Sequence, residues 1–312
     1  MGTRSYAIVG LGAVGGYYGA KLAAAGHEVH FLARSDLDHV RRHGLRVESP
    51  EGDIVLDEVH AHADPSEVPP VDVVVLAVKT TDTAAALDSV ATLAAEGSVV
   101  VAMQNGLGVE DVLARAVPGA TVLGAMCFIC SNKVGPGHVR HLDYGRVTVG
   151  ERGAVGVTDG VIALVDDLVG AGLAASALDD LALGRWKKLV WNVPYNGLSV
   201  VLDAGTDELM ADPHARELVQ ALMHEVLGGA AACGREIPAG FVQQMLDDTE
   251  EMIPYATSMK LDYDAGRPLE LEAIYAAPLA AARVRGYEMV RVGALYEQLR
   301  FLDGRRSGTG PG

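Results

Sequence analysis

Residues 10–15 read Gly-Leu-Gly-Ala-Val-Gly, and they follow directly on Ser5–Val9, a short apolar run of strand character. Gly15–Ala25 then has helical spacing and stops at Gly26, and Glu28–Ala33 reads as a second strand. Strand, glycine turn, helix and strand within about 30 residues make a βαβ unit. A G-x-G-x-x-G on its own is a weak sign. Placed after a strand and at the opening of a helix, it is the fingerprint of a dinucleotide-binding turn. Gly10 permits the tight turn, Gly12 lets a pyrophosphate approach the backbone, and Gly15 lets helix and strand pack closely. The phosphates then meet free N–H groups and the positive end of the helix dipole. Gly10, Leu11, Gly12, Ala13, Val14 and Gly15 are therefore the first candidate cofactor-binding residues. The bland alternative is a plain tight turn.

The end of the second strand chooses between NAD and NADP. An acid there would bind the ribose 2′-hydroxyl and repel a 2′-phosphate. This chain has Phe31-Leu32-Ala33-Arg34-Ser35, and the planar fork of Arg34 can pair with a 2′-phosphate. Asp36 lies beyond the strand end. The expected cofactor is NADP, supplied as NADPH. Two further strand ends carry polar residues, where ligands of an open parallel sheet gather. Lys79 follows the largely apolar Val71–Val78 and can meet a phosphate or a carboxylate. Asn105, in Gln104-Asn105-Gly106, follows Ser98–Met103 and can hydrogen-bond the nicotinamide side.

The remaining texture divides the chain. Leu45–His62 reads as a hairpin or small meander, Thr83–Ala95, Val109–Ala116 and Val157–Val169 as helices, and Thr121–Ile129 and Leu173–Leu178 as strands. His138–Val149 alternates like an antiparallel extension, with Asp143-Tyr144-Gly145 at or near a turn. After about Asp180 strand patterns cease, and Leu181–Val201, Asp212–Cys233, Ala239–Met252, Glu270–Arg285 and Val290–Leu302 have helical spacing. The expected organisation is an α/β Rossmann domain over 1–178, an all-helical domain over 179–303, and a disordered Gly-rich tail over 304–312.

A net charge of −16 disfavours nucleic acid as a partner. No run suggests a signal peptide or a membrane span, and three cysteines in 312 residues suit a reducing, cytoplasmic setting. Cys127 and Cys130 form a C-x-x-C inside an apolar strand-like run with no second pair, so they read as buried small side chains and no metal is expected. The apolar C-terminal helices are compatible with a homodimer.

Together the glycine turn, Arg34, Lys79 and Asn105 resemble the ketopantoate reductases (2-dehydropantoate 2-reductases), over roughly residues 5–300. The resemblance implies a Rossmann domain followed by a helical domain, an active site in the cleft between them, and NADPH-dependent reduction of 2-dehydropantoate to pantoate on the way to pantothenate and coenzyme A. The C-terminal half carries a more specific match. Lys188, Asn192 and Asn196 are spaced i, i+4, i+8, which puts all three on one face of a helix. The family's catalytic lysine falls on Lys188, and the two asparagines are implied to bind substrate. An ammonium suits the chemistry, because hydride added to a ketone carbon leaves charge on oxygen that a nearby cation stabilises and protonates. Ser258-Met259, Asp262, Gly266-Arg267-Pro268 and Glu270 are similar to the family's second signature. The resemblance gives Ser258 the substrate carboxylate and Glu270 a substrate hydroxyl, with Asp262 bracing the loop and Glu272 solvated.

Three departures stand against this pattern. Tyr255 occupies the place of a substrate-holding asparagine, Ile274-Tyr275-Ala276 replaces Ile-Asn-Gly, and Pro194 interrupts the helix between Asn192 and Asn196. The two tyrosines motivate one alternative, a same-fold NADP-dependent reductase of another 2-oxo acid or a bulkier ketone. A dinucleotide-sensing protein without chemistry is a second, and a hydroxyacid dehydrogenase running in the oxidative direction is a third.

Overall fold

The computed structural model describes residues 2–254 and 256–306, so Met1, Tyr255 and residues 307–312 lie outside the description. The chain forms two compact units. One comprises 1–104 and 109–181, the other 105–108 and 182–312.

The first unit runs β1 (Ser5–Val9), α1 (Ala13–Ala24), β2 (Glu28–Leu32), α2 (Leu37–His43), β3 (Leu45–Glu48), β4 (Ile54–Leu56) and β5 (His60–His62). It continues with β6 (Val73–Leu76), α3 (Thr83–Leu93), β7 (Val99–Ala102), α4 (Val109–Ala116), β8 (Thr121–Gly135), β9 (His138–Glu151), α5 (Asp159–Gly170) and β10 (Ala175–Ala177). The sheet order is β4-β3-β9-β8-β7-β6-β1-β2-β5, with β10 beside β9. From β8 through β5 all neighbours are parallel, and β8 pairs antiparallel with β9. The valine-rich central strands are buried on both faces, as a helix-covered parallel sheet requires. The strand order reverses at β1, whose neighbours are β2 on one side and β6 on the other. The glycine turn leaves the carboxyl end of β1, at this switch point.

Two local expectations need correction. The segment 45–62 is not one meander. β3 and β4 form a hairpin that pairs parallel with β9 at one edge, whereas β5 pairs parallel with β2 at the other. No turn lies at Asp143-Tyr144-Gly145 either, since β9 runs through these residues and the chain turns between β8 and β9 at Gly137, with φ +59°. The later triplet is a bulge. Phe128 pairs with Arg146 and Ile129 with Tyr144, so one residue of β9 is skipped. Tyr144 and Gly145 adopt φ +61° and +116° there. Left-handed residues serve a bulge as well as a turn, which is why the sequence pattern reads as either.

The second unit is helical: α6 (Leu181–Val201), α7 (Thr206–Ala211), α8 (Pro213–Ala232), α9 (Gly240–Glu251), α10 (Ser258–Asp264), α11 (Ala277–Val284) and α12 (Val290–Arg306). Its core gathers Trp186, Val190, Leu222, Met223, Ile274, Tyr275, Leu295 and Leu299. The segment read as one helix over Glu270–Arg285 opens with a π turn, Glu272–Ala276, in which Ala277 N–H reaches Glu272 O. α12 extends through Gly304 to Arg306, farther than the expected start of the tail. No helix among the described residues is long and apolar enough to cross a membrane.

Candidate active site

In the first unit the glycine turn has the shape its residues require. Gly10 adopts φ +108°, and a Cβ there would stand 2.6 Å from Val78 Cγ1. A Cβ on Gly15 would stand 2.0 Å from Gly10 O. Gly12 is the opposite case, because a Cβ there would meet nothing within 4 Å. Backbone is therefore packed tightly on one side of the turn and open on the other. Gly12 begins α1 without a side-chain cap, and the first turn of α1 carries no acid. Leu11 is buried and Val14 packs on the core, so their side chains are turned inward. An uncapped helix start behind an open glycine is a cradle that fits a dinucleotide pyrophosphate.

At the end of β2, Ala33 N–H bonds His62 O, and Arg34 follows with its side chain 74% exposed, 3.3 Å from Asp82 Oδ1. Asp36 turns away from solvent. Lys133 Nζ lies 2.7 Å from its Oδ2, Gly137 N–H donates to the same oxygen at 2.9 Å, and Ser35 Oγ donates to Oδ1 at 3.1 Å. Burial alone would raise its carboxyl, but these three partners outweigh burial and hold it below the usual range. The acid just beyond the end of β2 is thus consumed within the protein. Lys79 is exposed at the start of a short 3-10 turn, Thr80–Asp82. Gln104 Nε2 fixes that region by donating to Val78 O at 2.9 Å and Thr83 Oγ1 at 2.8 Å.

Asn105 falls in the other unit, with the helices. Its loop is seated on the π turn: Leu107 N–H donates to Ala273 O at 2.9 Å, and a Cβ on Gly106 would stand 2.5 Å from the Ala273 backbone. Glu270 is buried just before that turn. On α6, Lys188, Asn192 and Asn196 are all buried, as three residues on one helical face can be. Asn196 is 2% exposed, and its Oδ1 has no hydrogen-bond partner among the described residues. A buried amide oxygen without a donor is costly, so this atom suits a ligand's donor. Pro194 lies within α6. Ser258 opens α10, whose cap is Thr257, and Thr257 Oγ1 lies 2.8 Å from Ser199 Oγ on α6. Asp262 is buried and accepts from Arg267 Nε at 2.8 Å, a brace across the turn after α10.

The helical unit therefore links Asn105, Glu270, the Lys188–Asn196 face and Ser258 through the π turn and the α10 cap. Sequence reasoning passes over two of the links, Ser199 and Thr257, because a hydroxyl in an apolar run carries no pattern, and it singles out Tyr275 only as a departure from the family's pattern. Tyr275 is wholly buried and donates to Val193 O at 2.9 Å. Cys130 is buried, which pushes its thiol up to about 12, and Cys127 is partly exposed. Among the described residues no three His, Cys, Asp or Glu side chains converge as a metal site.

Comparison with known proteins adds independent information. The family model described as "Ketopantoate reductase PanE/ApbA" matches residues 6–154, and "Ketopantoate reductase PanE/ApbA C terminal" matches residues 180–303. The 2-dehydropantoate 2-reductase of Nostoc sp. strain PCC 7120 is 51% identical over 309 residues, 98% of this chain and 97% of that protein. The crystal structure of 2-dehydropantoate 2-reductase from Geobacter metallireducens GS-15 superposes with a TM-score of 0.92 at 39% identity, covering 95% of this chain and 99% of that one. A D-mandelate dehydrogenase solved with NADH and anilino(oxo)acetate shares the fold, with a TM-score of 0.85 at 24% identity over 97% of this chain and 99% of that one.

Proposed function

The chain belongs to the ketopantoate reductase family, and from that premise we propose that it reduces 2-dehydropantoate to pantoate with NADPH. The observation that carries the chemistry is the buried face of α6, where Lys188 and two asparagines lie together and one amide oxygen awaits a donor.

The Gly10–Gly15 turn and the start of α1 hold the pyrophosphate through backbone N–H groups. Arg34 takes the 2′-phosphate, supported by the withdrawal of Asp36 onto Lys133 and Gly137. Lys79 and Asn105 contribute at the ends of the following strands. The bound dihydronicotinamide supplies the hydride. Asn192, Asn196 and Ser258 bind and orient the 2-oxo acid, Ser258 at its carboxylate, and Glu270 holds its hydroxyl. As the keto carbon gains hydride, charge grows on its oxygen. The Lys188 ammonium stabilises that charge and transfers one proton to it, and water then returns the proton to the amine.

The test follows NADPH oxidation at the nicotinamide band with 2-dehydropantoate beside other 2-oxo acids and bulkier ketones. Turnover confined to 2-dehydropantoate is expected. Faster turnover of another ketone would replace the substrate, and tight NADPH binding without turnover would favour a sensor. Arg34→Ala should weaken NADPH about tenfold or more while leaving NADH nearly unchanged. Equal losses for both would remove Arg34 from cofactor choice.

A further inference from the structure

The phenol of Tyr275 reaches the one peptide of α6 that is least able to hold a helical path. It donates to Val193 O at 2.9 Å, and Val193 precedes Pro194. Proline cannot donate to the carbonyl one turn back, and its ring disfavours helical backbone in the residue before it. The Val193–Pro194 peptide is therefore the weakest point in the helical path of α6, and it lies between Asn192 and Asn196. The direction of Asn196 relative to Lys188 and Asn192 depends on the path the chain takes there.

The surroundings are shaped to receive the phenol. Gly197 sits one turn beyond Val193, and a Cβ there would stand 2.7 Å from Tyr275 Oη and 2.6 Å from Leu295 Cδ2. On its other side the Tyr275 ring lies near-parallel to Tyr296, with centroids 6.3 Å apart. Tyr275 belongs to the π turn, whose extra residue per turn shifts the side chains that follow around the helix. The same turn accepts the Asn105 loop at Ala273 O and begins two residues after Glu270.

We infer that Tyr275 is a positioning residue: its phenol fixes the Val193 carbonyl, sets the path of α6 past Pro194, and so aims Asn196 at the 2-oxo acid. The inference rests on the reading of α6 as the substrate face. It also gives a role to a tyrosine standing where the resemblance leads one to expect asparagine.

A double-mutant cycle tests it. Tyr275→Phe removes one oxygen and keeps the ring, and Asn196→Ala removes the amide. Each single change should raise KM for 2-dehydropantoate about tenfold with kcat altered less than about threefold, and the double variant should be no worse than Asn196→Ala. An additive double variant, or an unchanged KM in Tyr275→Phe, would overturn the inference. Both tryptophans of the chain, Trp186 and Trp191, lie on α6, so their emission and near-UV circular dichroism report on this helix without substrate. Tyr275→Phe should change those signals while far-UV dichroism stays as in the parent; unchanged tryptophan signals would also overturn it. If Tyr275→Phe does not fold, Gly197→Ala displaces the phenol from the other side and is read in the same ways. A parent protein inactive on 2-dehydropantoate sinks the substrate reading alone. The cycle then runs on whichever 2-oxo acid it reduces, and the tryptophan signals decide the inference if it reduces none.

Discussion

Ser199 Oγ and Thr257 Oγ1 lie 2.8 Å apart, both with their side chains wholly removed from solvent. The proton order follows from their other partners. Ser199 donates to Asn196 O at 3.1 Å, so it accepts from Thr257, and Thr257 in turn accepts from Lys260 N–H at 3.2 Å. A single hydroxyl thus caps α10 beside Ser258 and joins that helix to α6. Thr257→Val keeps the shape and removes both functions. It should cost about 1–3 kcal/mol in denaturant unfolding and raise KM for the 2-oxo acid. A loss of stability with unchanged KM would make the link purely structural.

The glycine turn predicts two unlike outcomes from one kind of change. Gly12→Ala adds a methyl to open space, so melting should stay within a few degrees while NADPH binding weakens about tenfold or more. Gly15→Ala drives a methyl onto Gly10 O and should destabilise the fold itself. Melting curves and NADPH fluorescence titrations on the two variants check this. Equal NADPH affinity in Gly12→Ala would remove the phosphates from the turn.

Lys188→Ala should lower kcat by roughly 10²- to 10⁴-fold, the usual contribution of a positioned acid. NADPH affinity should be untouched, since the turn proposed to hold the pyrophosphate is built from other residues. Single-turnover oxidation of bound NADPH is the direct reading, and a variant close to full activity would exclude Lys188 as the proton donor.

The Asp36 carboxyl is held below its ordinary value in the folded chain, against burial, by Lys133, Gly137 N–H and Ser35. An acid depressed by folding stabilises the protein above its unfolded value of about 3.9, and that contribution disappears as pH falls through the lower folded value. Asp36→Asn should therefore flatten the fall in melting temperature below about pH 4 relative to the parent. Parallel curves from pH 3 to 7 would show that the pair adds nothing to acid stability.

What could be read in advance followed the period and the punctuation of the chain. Ser5–Val9 and Leu181–Val201 have the bounds their patterns suggest, because an apolar run closed by glycine and a long 3.6-residue period each admit one element. α7 and α10 escaped because six or seven residues are too few to show a period. β5 was misplaced because partners far along the chain, not local alternation, decide which edge a three-residue strand joins. For the candidate site, spacing put Lys188, Asn192 and Asn196 on one face, and the structure buries all three. Spacing could not show that Tyr275 would reach Val193 O from the π turn, because that contact depends on a one-residue excess in a helix and a missing Cβ at Gly197.

The four residues Asn105–Gly108 are chain from the middle of the sheet-forming sequence, yet they pack with the helices on Ala273. A ribosome releases them long before their support exists, so the helical unit cannot close around them until the π turn has been made. The same arrangement governs modular exchange. A chimera that takes its helical unit from a relative by one junction near residue 181 leaves this loop behind, facing a foreign π turn. A faithful exchange needs three junctions, two of them flanking Asn105–Gly108, and single-junction chimeras should be the ones that fold poorly.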